Sequence, residues 1–243
     1  MIPHPDGPLA RPEPGSPREN TPSDASTLAE DLLLLLFQPD SGTIAGENTL
    51  FYILAGAVVA DLALGDHVRT SRNTKVEAVE HRPPADDILR AAWDYVSEKP
   101  RGVQTILAAI GPTLRGPLLE RLIERGDVRR STRKALGLFE MAVLEDGGTA
   151  RRDRLIAEIR DVLVDGAEPS PRVAALAALL SGSGTLPQFH REIPWSSPVI
   201  TRAKELEKGN WGAGAAAEAV ARTMTAIIVN NVIIAAAVLP RNS

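Results

Sequence analysis

Between Arg115 and Lys134 the sequence gathers seven cations: Arg115, Arg121, Arg125, Arg129, Arg130, Arg133 and Lys134. Glu120, Glu124 and Asp127 stand against them, so the stretch carries 7 − 3 = +4 inside a chain of formal net charge −4. Guanidinium groups match phosphate oxygens two at a time. Arg115 also precedes Gly116-Pro117, and proline favours the first position of a helix. Free amides at such a helix start, together with a guanidinium, suit a phosphate. A lipid headgroup and a nucleic-acid backbone both meet that description. The plainer alternative is a set of solvated arginines paired with the neighbouring glutamates.

Other chemistry finds little footing. Cysteine is absent, which excludes disulfides, thiolate metal sites and thiol catalysis. His4, His67, His81 and His190 lack the spacing of a metal-binding pair. No Gly-x-Ser-x-Gly occurs. "GNWGAGAA" lacks a preceding strand and the lysine of a phosphate loop. Asp86-Asp87 reads as charge that complements a helix N-terminus. The residues therefore point to no catalytic group, no metal and no cofactor, and leave enzyme activity unsupported rather than excluded. A net charge of −4 gives no global attraction to nucleic acid or anionic lipid, so any anion site must be a local patch. The 22 arginines against 5 lysines, with abundant alanine, hint at a GC-rich bacterial genome.

The elements that must position these residues are mostly helical. Residues 1–25 are rich in Pro, Gly, Ser and charge, lack the apolar stretch of a secretory signal, and read as a disordered tail. Thr27-Leu28-Ala29-Glu30 has the spacing of a capping box. The run Leu32 to Phe37 that follows is six apolar residues long, far short of the ~20 that span a bilayer. A helix apolar on every side is one buried on every side. Thr49 to Leu64 repeats the pattern with Asp61 as its charged residue. His67 to Glu80 reads as a small hairpin. Ile88, Leu89, Ala92, Trp93 and Val96 make one helical stripe. "GVQTILAAI" and "GPLLERLIERG" are further helices, the second with Leu118, Leu119, Leu122 and Ile123 on its apolar face. A second hairpin is expected over residues 127–143. Helices then follow from a cap at Thr149, from Ser170-Pro171, over Pro198–Lys208 and over Ala213–Leu239. The last contains "MTAIIVNNVIIAAAVL", 16 residues with Thr225, Asn230 and Asn231 inside, and reads as a buried helix rather than an anchor. The expected fold class is mainly α: a single globular helical domain over residues 26–240, around buried apolar helices, with small β-hairpins.

The segments "LAEDLLLLLFQPDSG", "LAGAVVADLALGDHV", "DILRAAWDYVSE", "RGPLLERLIERGDV" and "VNNVIIAAAV" occur in the order and approximate spacing of the Golgi phosphoprotein 3 family, which the chain resembles over about residues 26–240. The resemblance implies a mainly helical domain without established catalytic activity. It also implies a peripheral membrane adaptor on the cytosolic face of a membrane, which binds phosphatidylinositol 4-phosphate or another anionic phospholipid headgroup and the cytosolic tail of a protein partner. The family's headgroup residues fall on Gly46, Ala55, Pro112 and Arg115, of which Arg115 keeps the basic group. Arg133 and Lys134 extend that headgroup site. The family's second hairpin, associated with membrane insertion and self-association, maps to residues 127–143. There Leu136 and Leu138 are the candidate inserting side chains, and a homo-oligomer through the hairpin is implied. A helix at 117–125 followed by this hairpin also imitates a winged-helix nucleic-acid binder. Glu120, Glu124 and the net charge weigh against nucleic acid as the partner.

Overall fold

The capping box at Thr27 forms. Thr27 Oγ1 accepts from the Glu30 amide at 3.2 Å, and Glu30 Oε2 accepts from the Thr27 amide at 2.6 Å. Helix α1, Leu28–Leu36, starts here in the computed structural model, which describes residues 26–71, 75–135, 139–211 and 221–228. Every residue of α1 is buried, Glu30 and Asp31 included. The extended backbone at Phe37 ends it, and β1 (Phe37–Gln38) pairs with β2 (Thr43–Ile44) across a turn at Pro39–Gly42. Sequence periodicity had no hold on this two-residue ladder.

Helix α2, Leu50–Leu64, is buried along almost its whole length and packs against α1. The expected hairpin follows as β3 (Val68–Thr70) and β4 (Lys75–Ala78), with Val68 opposite Ala78. A third strand, β5 (Arg101–Gly102), adds to β4. Helix α3, Asp87–Ser97, is capped by Asp86, whose carboxylate accepts from the Leu89 amide at 3.0 Å. It buries Ile88, Ala92 and Val96, while Leu89 and Trp93 are half-buried at the core margin.

Helix α4 (Val103–Ile110) runs through a 3-10 turn at Gly111–Thr113 into α5 (Arg115–Glu124). Gly111 lets that turn lie against α2: a Cβ there would stand 2.6 Å from the Phe51 carbonyl oxygen. After Gly126, at φ +75°, strands β6 (Val128–Ala135) and β7 (Phe139–Asp146) form a long antiparallel ribbon.

Helix α6 is Arg151–Leu163. Its N-cap is Ala150, in the left-handed region at φ 55°, and not Thr149. Thr149 instead gives its hydroxyl proton to Asp127. Helix α7, Pro171–Gly182, is capped by Ser170 as its sequence predicts, and residues 174–180 are buried without a break. Small alanines let α7 sit deep against α1, α2 and α6. Helix α8, Ser197–Glu207, covers α7, and residues 221–228 are helical, with Met224, Ile227 and Ile228 buried. The molecule is thus mainly α, with small antiparallel ladders around a contiguous apolar core.

Candidate functional site

Helix α5 does not open as a free-standing helix start. Leu114 is already helical, its amide donates to the Gly111 carbonyl at 3.2 Å, and the Leu118 amide donates to Leu114 at 3.1 Å. Arg115 is the first residue of α5, not the residue before it, so fewer free amides surround it than the Gly-Pro spacing suggests. Its side chain is 47% exposed, and Nε stands 3.0 Å from Glu47 Oε1 in the loop before α2. The structure therefore brings loop 46–49 and the start of α5 together. Of the other positions that the resemblance assigns to a headgroup, Gly46 lies in that loop at φ 69°, Ala55 is wholly buried inside α2, and Pro112 is exposed in the 3-10 turn.

Among the described side chains, the remaining cations of the basic stretch do not form a bare patch. Arg121 binds Asp86 at 2.7 Å, pairs with Asp87 and lies 3.8 Å from Glu30. Burial works against its charge, yet the three carboxylates outweigh burial and raise its pKa. Arg125 Nη2 stands 3.4 Å from Glu30 Oε1, which has no hydrogen bond of its own. Arg130 pairs with Glu120, and Arg129 donates to the Asp146 carbonyl at 3.2 Å. The helix-then-hairpin order of a winged helix is present, but Arg121 and Arg125 turn toward acids of the protein itself. Arg133 and Lys134 lie in β6 opposite Met141 and Glu140. Leu136 and Leu138 lie outside the described residues.

Behind α5 lies a second ionic cluster that sequence reasoning missed. Asp31 of α1, 3% exposed, is held by Arg151 of α6 and Arg172 of α7. Arg151 also binds the buried Asp127 at the start of the ribbon. Asp61 of α2 accepts from the Leu28 amide at 2.5 Å and stands 3.5 Å from Arg172 Nη1. Burial dominates at Asp61 and pushes its carboxyl up to about 7, despite Arg172 and the Leu28 amide. Arg151 keeps its charge firmly: burial opposes it, but Asp31 and Asp127 raise its pKa. The cluster ties α1, α2, α6, α7 and the ribbon together and presents no open face for a reaction. Only pairings across 24 to 141 residues create it, and no local motif announces it.

Among the described residues, no cluster of His, Asp or Glu is placed to hold a metal ion, and no helix is long and apolar enough to cross a membrane. No curated protein matches the chain. A family model described as Golgi phosphoprotein 3 (GPP34) matches residues 28–223, from the first residue of α1 into the last described helix. Over that span the chain has the mainly helical fold, the buried leucine helix and the loop-to-α5 junction set out above, and it belongs to the Golgi phosphoprotein 3 family.

Proposed function

We propose that the protein is a non-enzymatic peripheral adaptor that docks on the anionic cytosolic face of a membrane and holds a protein partner there. Family membership over residues 28–223 is the observation that carries this reading. In this proposal Arg115 and the β6–β7 ribbon form the docking face. Arg133 and Lys134 meet headgroups, Leu136 and Leu138 enter the lipid, and the same ribbon mediates self-association. Residues 26–240 act as the folded unit, with 1–25 as its tail.

The lipid selectivity follows from the geometry. An exposed ion pair such as Arg115–Glu47 is worth only about 0–1 kcal/mol, so a headgroup phosphate can displace Glu47. A basic residue near an anionic leaflet gains about 1 kcal/mol. The two are comparable, so Arg115 alone gives no tight site. With Gly46, Ala55 and Pro112 at the other headgroup positions, the chemistry favours anionic surfaces in general over one phosphoinositide. Further support comes from the turn at Pro39–Gly42. It touches β7, since a Cβ on Gly42 would lie 2.7 Å from the Leu144 carbonyl, and Asp40 stands 3.7 Å from Arg191. Four residues on from Arg191 lies Trp195, 48% exposed, and tryptophan favours the membrane–water interface.

Co-sedimentation of the full chain with phosphatidylcholine vesicles tests the reading, with and without phosphatidylserine or phosphatidylinositol 4-phosphate. Binding is expected only with anionic lipid, falling as salt rises and weaker in Arg115→Glu. Equal sedimentation with neutral and anionic vesicles overturns it.

A further inference from the structure

Strand β4 keeps part of one edge uncovered. The Val79 amide donates to the His67 carbonyl and the Ser71 amide to the Lys75 carbonyl, both at 2.8 Å. Lys75 and Val79, and Glu77 between them, therefore turn their backbone groups toward β3. Those groups alternate along an antiparallel strand, so Val76 and Ala78 direct theirs to the opposite side. Val76 meets Arg101 of β5 there. The same register, continued, would set Lys99 opposite Ala78. Lys99 instead lies in the turn that leaves α3, and β5 begins only at Arg101. Among the described residues, no hydrogen bond holds the Ala78 amide or carbonyl. An unpaired strand edge is a template for another strand.

This open edge borders a groove of about 890 Å³. Residues 77–81 form one wall, and Trp93, Val96, Ser97 and Pro100 form a mostly apolar wall opposite. Both walls are pinned. Trp93 Nε1 donates to the His67 carbonyl at 3.0 Å, and Arg101 Nε donates to the Tyr95 carbonyl at 2.9 Å, which fixes β5 to α3. Beyond Ala78 the chain closes a turn, where the Arg82 amide donates to the Val79 carbonyl at 3.3 Å. The charge left in the groove is acidic. Arg69 Nε stands 3.5 Å from Glu77 Oε2, so these two offset one another. Glu80 is exposed and, among the described residues, joins no ion pair. It follows Ala78 by two residues, within reach of a long basic side chain on a strand paired there.

We propose that this groove captures an extended peptide segment of another protein by strand addition to β4. One peptide residue pairs with both backbone groups of Ala78, an apolar side chain lies against Trp93, and a lysine or arginine meets Glu80. That the peptide belongs to the adaptor's protein partner rests on the adaptor reading. The strand addition does not, and it is tested without lipid, so the two can fail separately. The full chain is panned against a displayed library of random peptides, and the enriched peptides are synthesised. They are expected to carry a lysine or arginine, and N-methylation of single residues should abolish binding at alternate positions, the period of a strand. Amide exchange at Ala78, followed by NMR, should slow when peptide is bound. Glu80→Lys should weaken binding about tenfold or more. Glu80 is exposed, so that variant is expected to fold, and circular dichroism checks this. The proposal is wrong if no peptide is enriched, or if bound peptide leaves exchange at Ala78 unchanged. Equal binding by the parent, Glu80→Lys and Ala78→Pro also overturns it. An Ala78 amide that is already protected in the free chain does the same, since the edge is then occupied by the chain itself or by a second copy.

Discussion

Asp61 gives the folded protein a pH dependence that can be worked from the structure. Its carboxyl is buried between α1 and α7, where it faces the Leu28 amide, Arg172 and Asp31. Burial raises its pKa from 3.8 to about 7. A carboxyl whose pKa is raised on folding binds its proton more tightly in the native state. Its contribution to stability is therefore largest in acid and is lost as pH rises through the folded value. At pH 5 the group lies two units below its folded pKa and above its unfolded one. It adds about 3 kcal/mol there relative to pH 8. Asp61→Asn cannot titrate, yet its amide oxygen can still accept from the Leu28 amide. Every other ionisable group is common to both proteins, so the comparison between parent and variant isolates Asp61. Urea unfolding of each at pH 5 and pH 8 is the assay. The parent should lose about 3 kcal/mol relative to Asp61→Asn on going from pH 5 to pH 8. A difference between the proteins that stays constant with pH, or a parent that gains on Asp61→Asn as pH rises, refutes the reasoning.

Thr27→Ala removes a hydroxyl that both accepts from the Glu30 amide and donates to its carboxylate at 2.8 Å, so thermal unfolding should show a loss of about 1 kcal/mol. Arg151→Met leaves Asp31 and Asp127 short of a shared cation inside the protein and should cost about 3–5 kcal/mol in urea. Adding Asp127→Asn should recover part of that loss, whereas additive losses argue against the shared pairing. Gly111→Ala drives a Cβ against the Phe51 carbonyl and should destabilise by about 1–3 kcal/mol, with unchanged stability as the contrary result. Trp211 is buried and Trp93 half-buried, so Trp195 should dominate acrylamide quenching. If its loop meets lipid, its emission should shift to the blue when anionic vesicles are added, and an unmoved spectrum on fully bound protein removes that loop from the interface.

The helices were largely legible because their signals are local. Thr27 and Glu30 are three residues apart, Ser170 adjoins Pro171, and an uninterrupted leucine run leaves little choice but burial. Two features escaped for opposite reasons. Strand β5 is two residues long, too short to carry alternation, and exists only because β4 offers it an edge. The cap at Thr149 failed because Ala150 takes the left-handed conformation and becomes the N-cap, while the Thr149 hydroxyl gives its proton to Asp127, 22 residues away, and accepts from the Arg151 amide at 3.3 Å. The basic stretch shows the limit most clearly. Its charge count within residues 115–134 is correct, but apart from Glu120, which pairs with Arg130, the acids that hold its arginines, Glu30, Glu47, Asp86 and Asp87, lie outside that window. Tertiary pairing, not composition, decides how much of a positive stretch faces outward.

The complete burial of α1 also sets a timetable for biosynthesis. Glu30 finds Arg121 and Arg125, and Asp31 finds Arg151 and Arg172, so the last of those partners emerges from the ribosome 172 − 27 = 145 residues after Thr27. At about 5–20 residues per second this leaves the leucine helix incompletely covered for about 7–30 s. That interval is long compared with helix formation or chain collapse, which finish within about 100 μs. The nascent chain thus presents one of its most apolar segments first and completes its enclosure late, which makes it a candidate client for ribosome-associated chaperones. Synonymous codon changes that slow synthesis between residues 37 and 172 should lower the soluble yield while leaving the finished protein's stability untouched.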